Sequence, residues 1–583
     1  MSGLDMPLRH RASVQDTIYT VSANCQDCYR CVRACPVKAI RVSDGQASVE
    51  DSLCIKCGTC VRECPQGAKK IRSSIENVRR LFESNVRVAV SIAPSFPAVF
   101  RGWRAPRIPS ALRMLGFTYV TETAEGASQV ADEALRKAGL GSVCTACPAV
   151  VNYVEMYRPH YADQLMPIVS PMVAHGRMLK ERYGNDCAVV FVGPCAAKKH
   201  EASRPEHADA IDEVLTFTEL LEMFTEADID LSTCIESAFE HRAYNETAKL
   251  FPIQGGMLRT GDVACDGTQA EVIHLSGVED VVGVFELAAR DWSFRIVEPL
   301  FCAGGCINGP AMPHDLSIFE RRQAVIDYSK PKASMPTYAP AEQVELAKSF
   351  HDSSMIVVGR DVSLAQIENV LESMGKIDPV SQLNCGACGY KSCYENAYAI
   401  VCGLAEPQMC MPYMRRLAQQ RSDRIIETNP SGVVVLDSEL NIINMNPAFQ
   451  KMFMCNNSIL GRRISYLVNA EGYEILRSGV EESYETIRAK YGVRYHEVVF
   501  ALRDETQYVG TYTDLSRLKF DSRQIDLVRR QTLEQAKQLL DHQISFSQEM
   551  ADYLGRSTAQ NEEFVRRLMS LFADDDSFKG EQK

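Results

Sequence analysis

The twelve residues CQDCYRCVRACP at 25–36 return as CIKCGTCVRECP at 54–65. Each run sets three cysteines with two residues between them, then a fourth after three residues and directly before proline: Cys25, Cys28, Cys31, Cys35, and again Cys54, Cys57, Cys60, Cys64. Three closely spaced thiolates can wrap three corners of a cubane cluster, while the fourth, ahead of a proline that turns the chain away, reaches the neighbouring cluster. That crossing assigns Cys25, Cys28, Cys31 and Cys64 to one 4Fe-4S cluster and Cys54, Cys57, Cys60 and Cys35 to the other. A pair of tetrahedral zinc sites is the competing reading, but zinc gives no reason to repeat a triple plus Cys-Pro.

A length of 583 residues suggests about four domains. Basic residues number 63 against 75 acidic, a net charge of −12 with no strong Lys/Arg block, so nucleic acid is not an expected partner. No apolar run approaches the ~18 residues that span a bilayer. The start, MSGLDMPLRHRASVQD, lacks the apolar core of a secretory signal. The expectation is therefore a cytoplasmic protein without membrane contact, whose 22 cysteines stay reduced and serve as metal ligands where regularly spaced. Residues 20–72 resemble a bacterial two-cluster ferredoxin, which implies an electron wire. A wire implies a terminus.

From about residue 79 apolar strands alternate with helical stretches, the pattern of α/β layers. RVAVSIAP (87–94), GSVCTACP (141–148), CAVVFVGPC (187–195) and FRIVEPLFC (294–302) each run into a loop bearing cysteine, or Pro94-Ser95 in the first case. Ligands of open parallel sheets sit beyond the carboxyl ends of the strands, so these loops can converge on one buried site holding Ser95, Cys147, Cys195, Cys302 and Cys306. TACPAV, GPCAAKKHE and FCAGGCINGPAM resemble the three cysteine motifs of FeFe hydrogenases, in order, over roughly 80–315. The resemblance implies that Cys147, Cys195, Cys302 and Cys306 hold a 4Fe-4S cubane. It also implies that Cys306 bridges to a two-iron subcluster carrying carbon monoxide, cyanide and a dithiolate, the whole being the H-cluster supplied by maturation enzymes. Lys198 matches a family lysine that hydrogen-bonds a cyanide ligand, although a solvated lysine in the charged run KKHE is an open alternative. Glu201 matches a structural glutamate. Glycines 304, 305 and 309 would let bare backbone approach the cluster.

The departures bear on rate. Ala146 stands where catalytic members of the family carry the thiol that hands on protons, and a methyl group cannot do so. Gly193 and Leu300 replace methionines of the two-iron pocket, and no acid of ETAEGASQVADEAL aligns with the family's proton path. Cys144 is either a displaced relay or a buried thiol. Cys187, Cys234 and Cys265 fit no motif and are expected as small core residues.

Farther on, Cys385, Cys388, Cys393 and Cys410 have gaps of two, four and sixteen, suited to a cluster loop and a helix that returns the last thiolate. The segment resembles a small 4Fe-4S domain, with zinc as the alternative. Then SGVVVLDSELNIINMNPAFQ reads strand, turn, strand, and a helix opened by Asn446-Pro447, and 426–518 resembles a PAS domain. Met445, Met452, Met454 and Cys455 read as core. A helical stripe through Leu533, Ala536, Leu540 and Ile544 would form a homodimer, dock a partner or pack on the PAS sheet.

The expected architecture is multidomain α/β and α+β. It comprises a two 4Fe-4S ferredoxin-like domain (1–78), a two-lobed α/β H-cluster domain with parallel sheets (79–370) and a single-cluster domain (371–414). A PAS domain with its leading helix (415–520) and C-terminal signalling helices (521–583) complete it. The order resembles the sensory, PAS-bearing FeFe hydrogenases. That implies slow exchange with hydrogen and protons at the H-cluster, electron relay through three accessory 4Fe-4S clusters to a redox partner such as ferredoxin, and output to a kinase or serine/threonine phosphatase. The rival readings are a fast hydrogenase with a relay rebuilt around Cys144, and a non-catalytic iron-sulfur electron-transfer protein.

Overall fold

In the computed structural model the described residues are 16–516, except 85, 242, 266–270, 289–293, 314, 331–343, 355–361, 480–482 and 503–506, together with 534. The stripe from Leu533 onward thus falls outside the described residues. The chain divides into two compact units, Met1–Tyr413 and Met414–Lys583.

The first unit opens with four short strands, β1 (Ile18–Thr20), β2 (Ile40–Ser43), β3 (Gln46–Val49) and β4 (Lys69–Ile71), paired antiparallel as β1 with β4 and β2 with β3. Helices Arg30–Ala34 and Thr59–Glu63 begin inside the two cysteine runs, and each is entered through a left-handed residue, Tyr29 at φ 52° and Gly58 at φ 76°. The sequence repeat is therefore a backbone repeat.

Seven strands follow: β5 (Val88–Ile92), β6 (Tyr119–Glu122), β7 (Ser142–Val143), β8 (Ala188–Gly193), β9 (Glu213–Thr216), β10 (Val272–Ser276) and β11 (Ile296–Leu300). They form two parallel sheets, ordered β6-β5-β8-β9 and β10-β11-β7. β5, β8 and β11 are buried at every position, Ser91 of β5 and Glu298 of β11 included, as expected of parallel strands covered on both faces. The expected two lobes are present, and the four predicted loops leave the ends of β5, β7, β8 and β11, two strands from each sheet.

Helices Leu364–Ser373 and Cys393–Val401 build the small domain that carries the last four cysteines. It is fastened to the N-terminal domain by Lys38 Nζ donating to the Gly389 carbonyl at 2.8 Å, Arg33 to that of Ala387 at 3.2 Å, and Val42 N–H to that of Leu404 at 2.9 Å.

In the second unit, β12 (Gly432–Leu436), β13 (Ile442–Met445), β14 (Ser483–Lys490), β15 (Val493–Leu502) and β16 (Gln507–Asp514) form an antiparallel sheet ordered β13-β12-β16-β15-β14. The Asp437 carboxylate accepts from Glu439 and Asn441 N–H to close the expected turn, and Asn446 caps helix Pro447–Met452 by accepting from Phe449 N–H at 2.9 Å. The interior is filled by Phe449, Phe453, Tyr473, Tyr495 and Tyr512. Met454 departs from its predicted core role: it is 76% exposed at φ 49°, because the helix ends at Met452 and the chain turns outward through a left-handed residue. Among the described residues no helix is long and apolar enough to cross a membrane.

Candidate functional site

Strand β7 ends two residues before the loop that delivers Cys147 to the start of helix Pro148–Tyr157, and β8 delivers Cys195 to the start of helix Ala196–Ser203. Cys302 and Cys306 lie in the loop after β11. All four thiols, with Ser95 and Lys198, line one cavity of about 90 Å³ between the two sheets. Burial, then Cys147, pushes the Cys195 thiol up to about 12. Burial and the other three sulfurs likewise raise Cys302, and burial with Cys147 and Cys195 raises Cys306. Thiols so crowded in a dry cavity do not ionise unaided, and a cationic core between them removes both penalties.

The loop glycines are pressed against neighbouring backbone, and Gly309 also lines the cavity. Gly305 sits at φ 99°, where a Cβ would stand 2.3 Å from the Pro252 carbonyl, and Gly309 at an ordinary φ would meet that of Pro194 at 2.4 Å. Gly305→Ala therefore combines a left-handed backbone with a clash that no side chain can relieve. We expect it to lower stability by about 1–3 kcal/mol, read by chemical denaturation of the purified protein.

Lys198 is not solvated. It is 9% exposed, and its ammonium donates to Glu201 Oε2 at 2.8 Å and to the Ala146 carbonyl at 3.4 Å. Burial alone would raise Glu201, but Lys198, Lys348 and His207 outweigh it and hold the carboxyl at about 2, with Ser170 Oγ donating at 3.0 Å. Ser95 Oγ is fully buried on the cavity wall and has no hydrogen-bond partner. A buried hydroxyl without a partner is costly, so the cavity is built for a group that supplies one.

Ala146 lines the cavity, as do Leu300 and Phe191. Phe191 shares a strand face with Gly193, and its ring stands 2.6 Å from where a Cβ at 193 would be, so the space freed by that glycine is taken by an aromatic ring. Cys144 is 4% exposed and does not reach the wall; burial, then Glu298, raises its thiol well above the usual range. Cys187 and Cys234 are buried as expected, whereas Cys265 is half-buried because it sits in a loop beside Gly255.

Three acids are buried: Glu122 and Glu125 of the run ETAEGASQVADEAL, and Glu298, which the sequence reading did not single out. Glu298, on β11, accepts from the N–H groups of Met257 and Leu258, yet burial pushes it up to about 8. Its pKa is higher folded than unfolded, so its contribution to stability is full below about pH 4.5 and is lost as pH rises toward 8. Glu298→Gln should accordingly flatten the decline of the melting temperature between pH 5 and 8, measured by scanning calorimetry. Glu122, at the end of β6, is pushed up to about 7 by burial, with the Tyr328 hydroxyl donating to it at 3.2 Å. Glu125 lies one helical turn on, beside His175 and Arg182. None of the three lines the cavity.

The accessory cysteines also gather. Cys25, Cys28, Cys31 and Cys64 line one cavity with Lys69, and Cys385, Cys388, Cys393 and Cys410 line another with Lys376. Burial, then the charges of Cys57, Cys54 and Cys35 and last that of Cys31, bear on Cys60, an order consistent with the crossed grouping of sulfurs. Cys57 in addition lines the central cavity. Its loop is pinned there by Asn152 Nδ2 donating to the Ile55 carbonyl at 3.0 Å and Tyr157 Oη to that of Leu53 at 2.6 Å. Among the described residues no three His, Cys, Asp or Glu groups converge tightly enough for a single metal ion, as a zinc site would require.

Residues 86–310 match the family described as iron only hydrogenase large subunit, C-terminal domain. Over that stretch the chain is similar to the iron-only hydrogenases. Residues 17–79 match the 4Fe-4S dicluster domain, 382–412 an Fe-S cluster family, and 420–486 the PAS domain. The NADP-reducing hydrogenase subunit HndD of Solidesulfovibrio fructosivorans is 26% identical over 370 residues, which cover 53% of this chain and 60% of that protein. Iron hydrogenase 1 of Clostridium pasteurianum is 26% identical over 302 residues, 43% of this chain and 52% of that protein. The cytosolic Fe-S cluster assembly factor NAR1 of Kluyveromyces lactis is 32% identical over 179 residues, 27% of this chain and 38% of its own. The chain thus spans between about two fifths and three fifths of the length of these relatives.

Proposed function

We propose that this protein is a hydrogen sensor: a hydrogenase-type centre of low turnover, wired through iron-sulfur clusters, whose oxidation state alters the PAS unit and through it a kinase or serine/threonine phosphatase. The observation that carries the reading is Ala146 on the wall of the cavity that holds Lys198 and an unpartnered Ser95 hydroxyl: a methyl group stands at the position expected to carry the relay thiol. Cys147, Cys195, Cys302 and Cys306 would hold an H-cluster, which supplies reversible splitting of hydrogen into protons and electrons. The donor set fits it: four thiols lining one cavity, an ammonium fixed by Glu201, and a hydroxyl without a hydrogen-bond partner. Cys57 on the same wall supports taking the cluster of Cys54, Cys57, Cys60 and Cys35 as next in line for electrons, with those of Cys25, Cys28, Cys31 and Cys64 and of Cys385, Cys388, Cys393 and Cys410 beyond it. Maturation enzymes and a ferredoxin-like redox partner belong to this reading, as does a cytoplasmic location.

The match to NAR1 favours a second reading, an iron-sulfur protein that never receives the two-iron part. Infrared spectroscopy of protein matured in the presence of competent maturation enzymes separates the two. Sharp carbon monoxide and cyanide bands are expected; a spectrum without them would retire the hydrogenase reading in favour of the second.

A further inference from the structure

Each cavity lined by cysteines has a buried lysine, but the lysines are engaged differently. Lys69 Nζ donates to Thr20 Oγ1 at 2.7 Å and to the Ala47 carbonyl, and Lys56 Nζ to Asp51. Their hydrogen bonds are thus spent on oxygen. Lys376, 5% exposed, instead points its ammonium at sulfur, 3.1 Å from Cys393 Sγ, with Cys410 a second thiol it hydrogen-bonds. The backbone holds it there: Lys376 N–H donates to the Leu371 carbonyl at 2.7 Å as helix Leu364–Ser373 ends, and its own carbonyl accepts from Gln382 at 3.0 Å. On the opposite side of the same cavity Cys385 is exposed to solvent.

We propose that Lys376 is a tuning residue that raises the reduction potential of the cluster held by Cys385, Cys388, Cys393 and Cys410, making it the electron sink among the accessory clusters. The proposal rests on the reading that these four thiols hold a 4Fe-4S cluster. Adding one electron makes such a cluster more negative, and a charged donor on its thiolates, together with access to water at one corner, stabilises that state. The step is a one-electron transfer in which the neighbouring cluster is oxidised and this one reduced, with no bond made or broken. The Lys38 ammonium, whose charge bears on both Cys35 and Cys388, lies between the two thiol sets. An electron leaving the central site would come to rest here rather than on the clusters whose lysines face oxygen.

The test is a potentiometric titration of full-length reconstituted protein followed by electron paramagnetic resonance, with Lys376→Met and Lys376→Arg variants and iron counted in each. In the wild type this cluster should reduce first. Lys376→Met should weaken its reduction at least tenfold, about 59 mV for one electron, while the other clusters stay put, and Lys376→Arg should restore most of the shift. An intact cluster whose potential does not move in Lys376→Met overturns the proposal alone. Wild-type protein that binds no iron at these four cysteines overturns the site assignment and the proposal with it. If Lys376→Met fails to assemble the cluster, the wild-type order of reduction decides: a cluster at 385–410 that reduces last refutes the sink, and one that reduces first supports it.

Discussion

Replacing Ala146 with cysteine is expected to raise hydrogen evolution by the matured protein about 100- to 10,000-fold, the range that a positioned proton-transfer group contributes. The side chain already lies on the cavity wall, and the exchange adds one sulfur atom to a methyl group that faces about 90 Å³ of space. Lys198 is bonded to the carbonyl of residue 146, so the backbone that would carry the new thiol is anchored. The assay is hydrogen production with a strong reductant, wild type and variant side by side at matched iron content. A variant no faster than the parent, or a parent already turning over at metabolic rates, would show that slow proton delivery at 146 is not what limits this centre.

The second large effect concerns Glu201. Glu201→Gln removes the anionic partner of Lys198 and leaves a buried ammonium uncompensated, which costs about 3–5 kcal/mol when one half of a buried pair is deleted. The same carboxyl makes the wild type acid-sensitive. Its pKa is depressed from 4.5 to about 2, so its stabilisation is complete above pH 4.5 and is lost as pH falls through that window, roughly 3 kcal/mol in all. Thermal melts from pH 7 down to pH 3 should show the variant starting lower and falling less. Parallel curves, or a variant as stable as the parent at pH 7, would contradict the pairing. A further sign of the same interaction would be infrared bands that shift or broaden in matured Glu201→Gln, since Lys198 would no longer be held in one place.

What the sequence made legible was what is local in it. The cysteine runs carry their geometry in their spacing, and the crossed grouping of Cys64 with the first triple follows from the proline that directly succeeds the fourth cysteine. Strand β8 announces itself as a continuous apolar run, and β5 and β11 nearly so, each broken by one polar residue, Ser91 and Glu298, because a parallel strand covered on both faces has no solvent side to show. The groups that escaped are those whose partners lie far along the chain. Glu298 reads as an acid in a strand until the N–H groups of Met257 and Leu258, some forty residues back, are seen to receive it. Lys376 reads as a surface lysine until a turn after its helix brings Cys393 to its ammonium. Phe191 was legible in principle, since residues two apart on a strand share a face, and the pocket consequence of Gly193 could have been drawn from it. Met454 was misjudged because helical spacing continues in the sequence beyond the point where the helix stops.

The walls of the central cavity, with Ala93, Pro94, Ala127, Phe191, Leu300 and Phe301 among them, have a bearing on what the centre can register. Dihydrogen is a small apolar solute and partitions into such a lining more readily than into water, whereas a hydrated ion forfeits its shell at the threshold. A compartment of this kind would fill readily with dissolved gas while slowing the passage of hydrated ions. Because splitting hydrogen releases protons, the oxidation state such a centre passes on would follow gas tension and pH together, and two cultures at the same hydrogen pressure should evoke a more reduced centre in the more alkaline one.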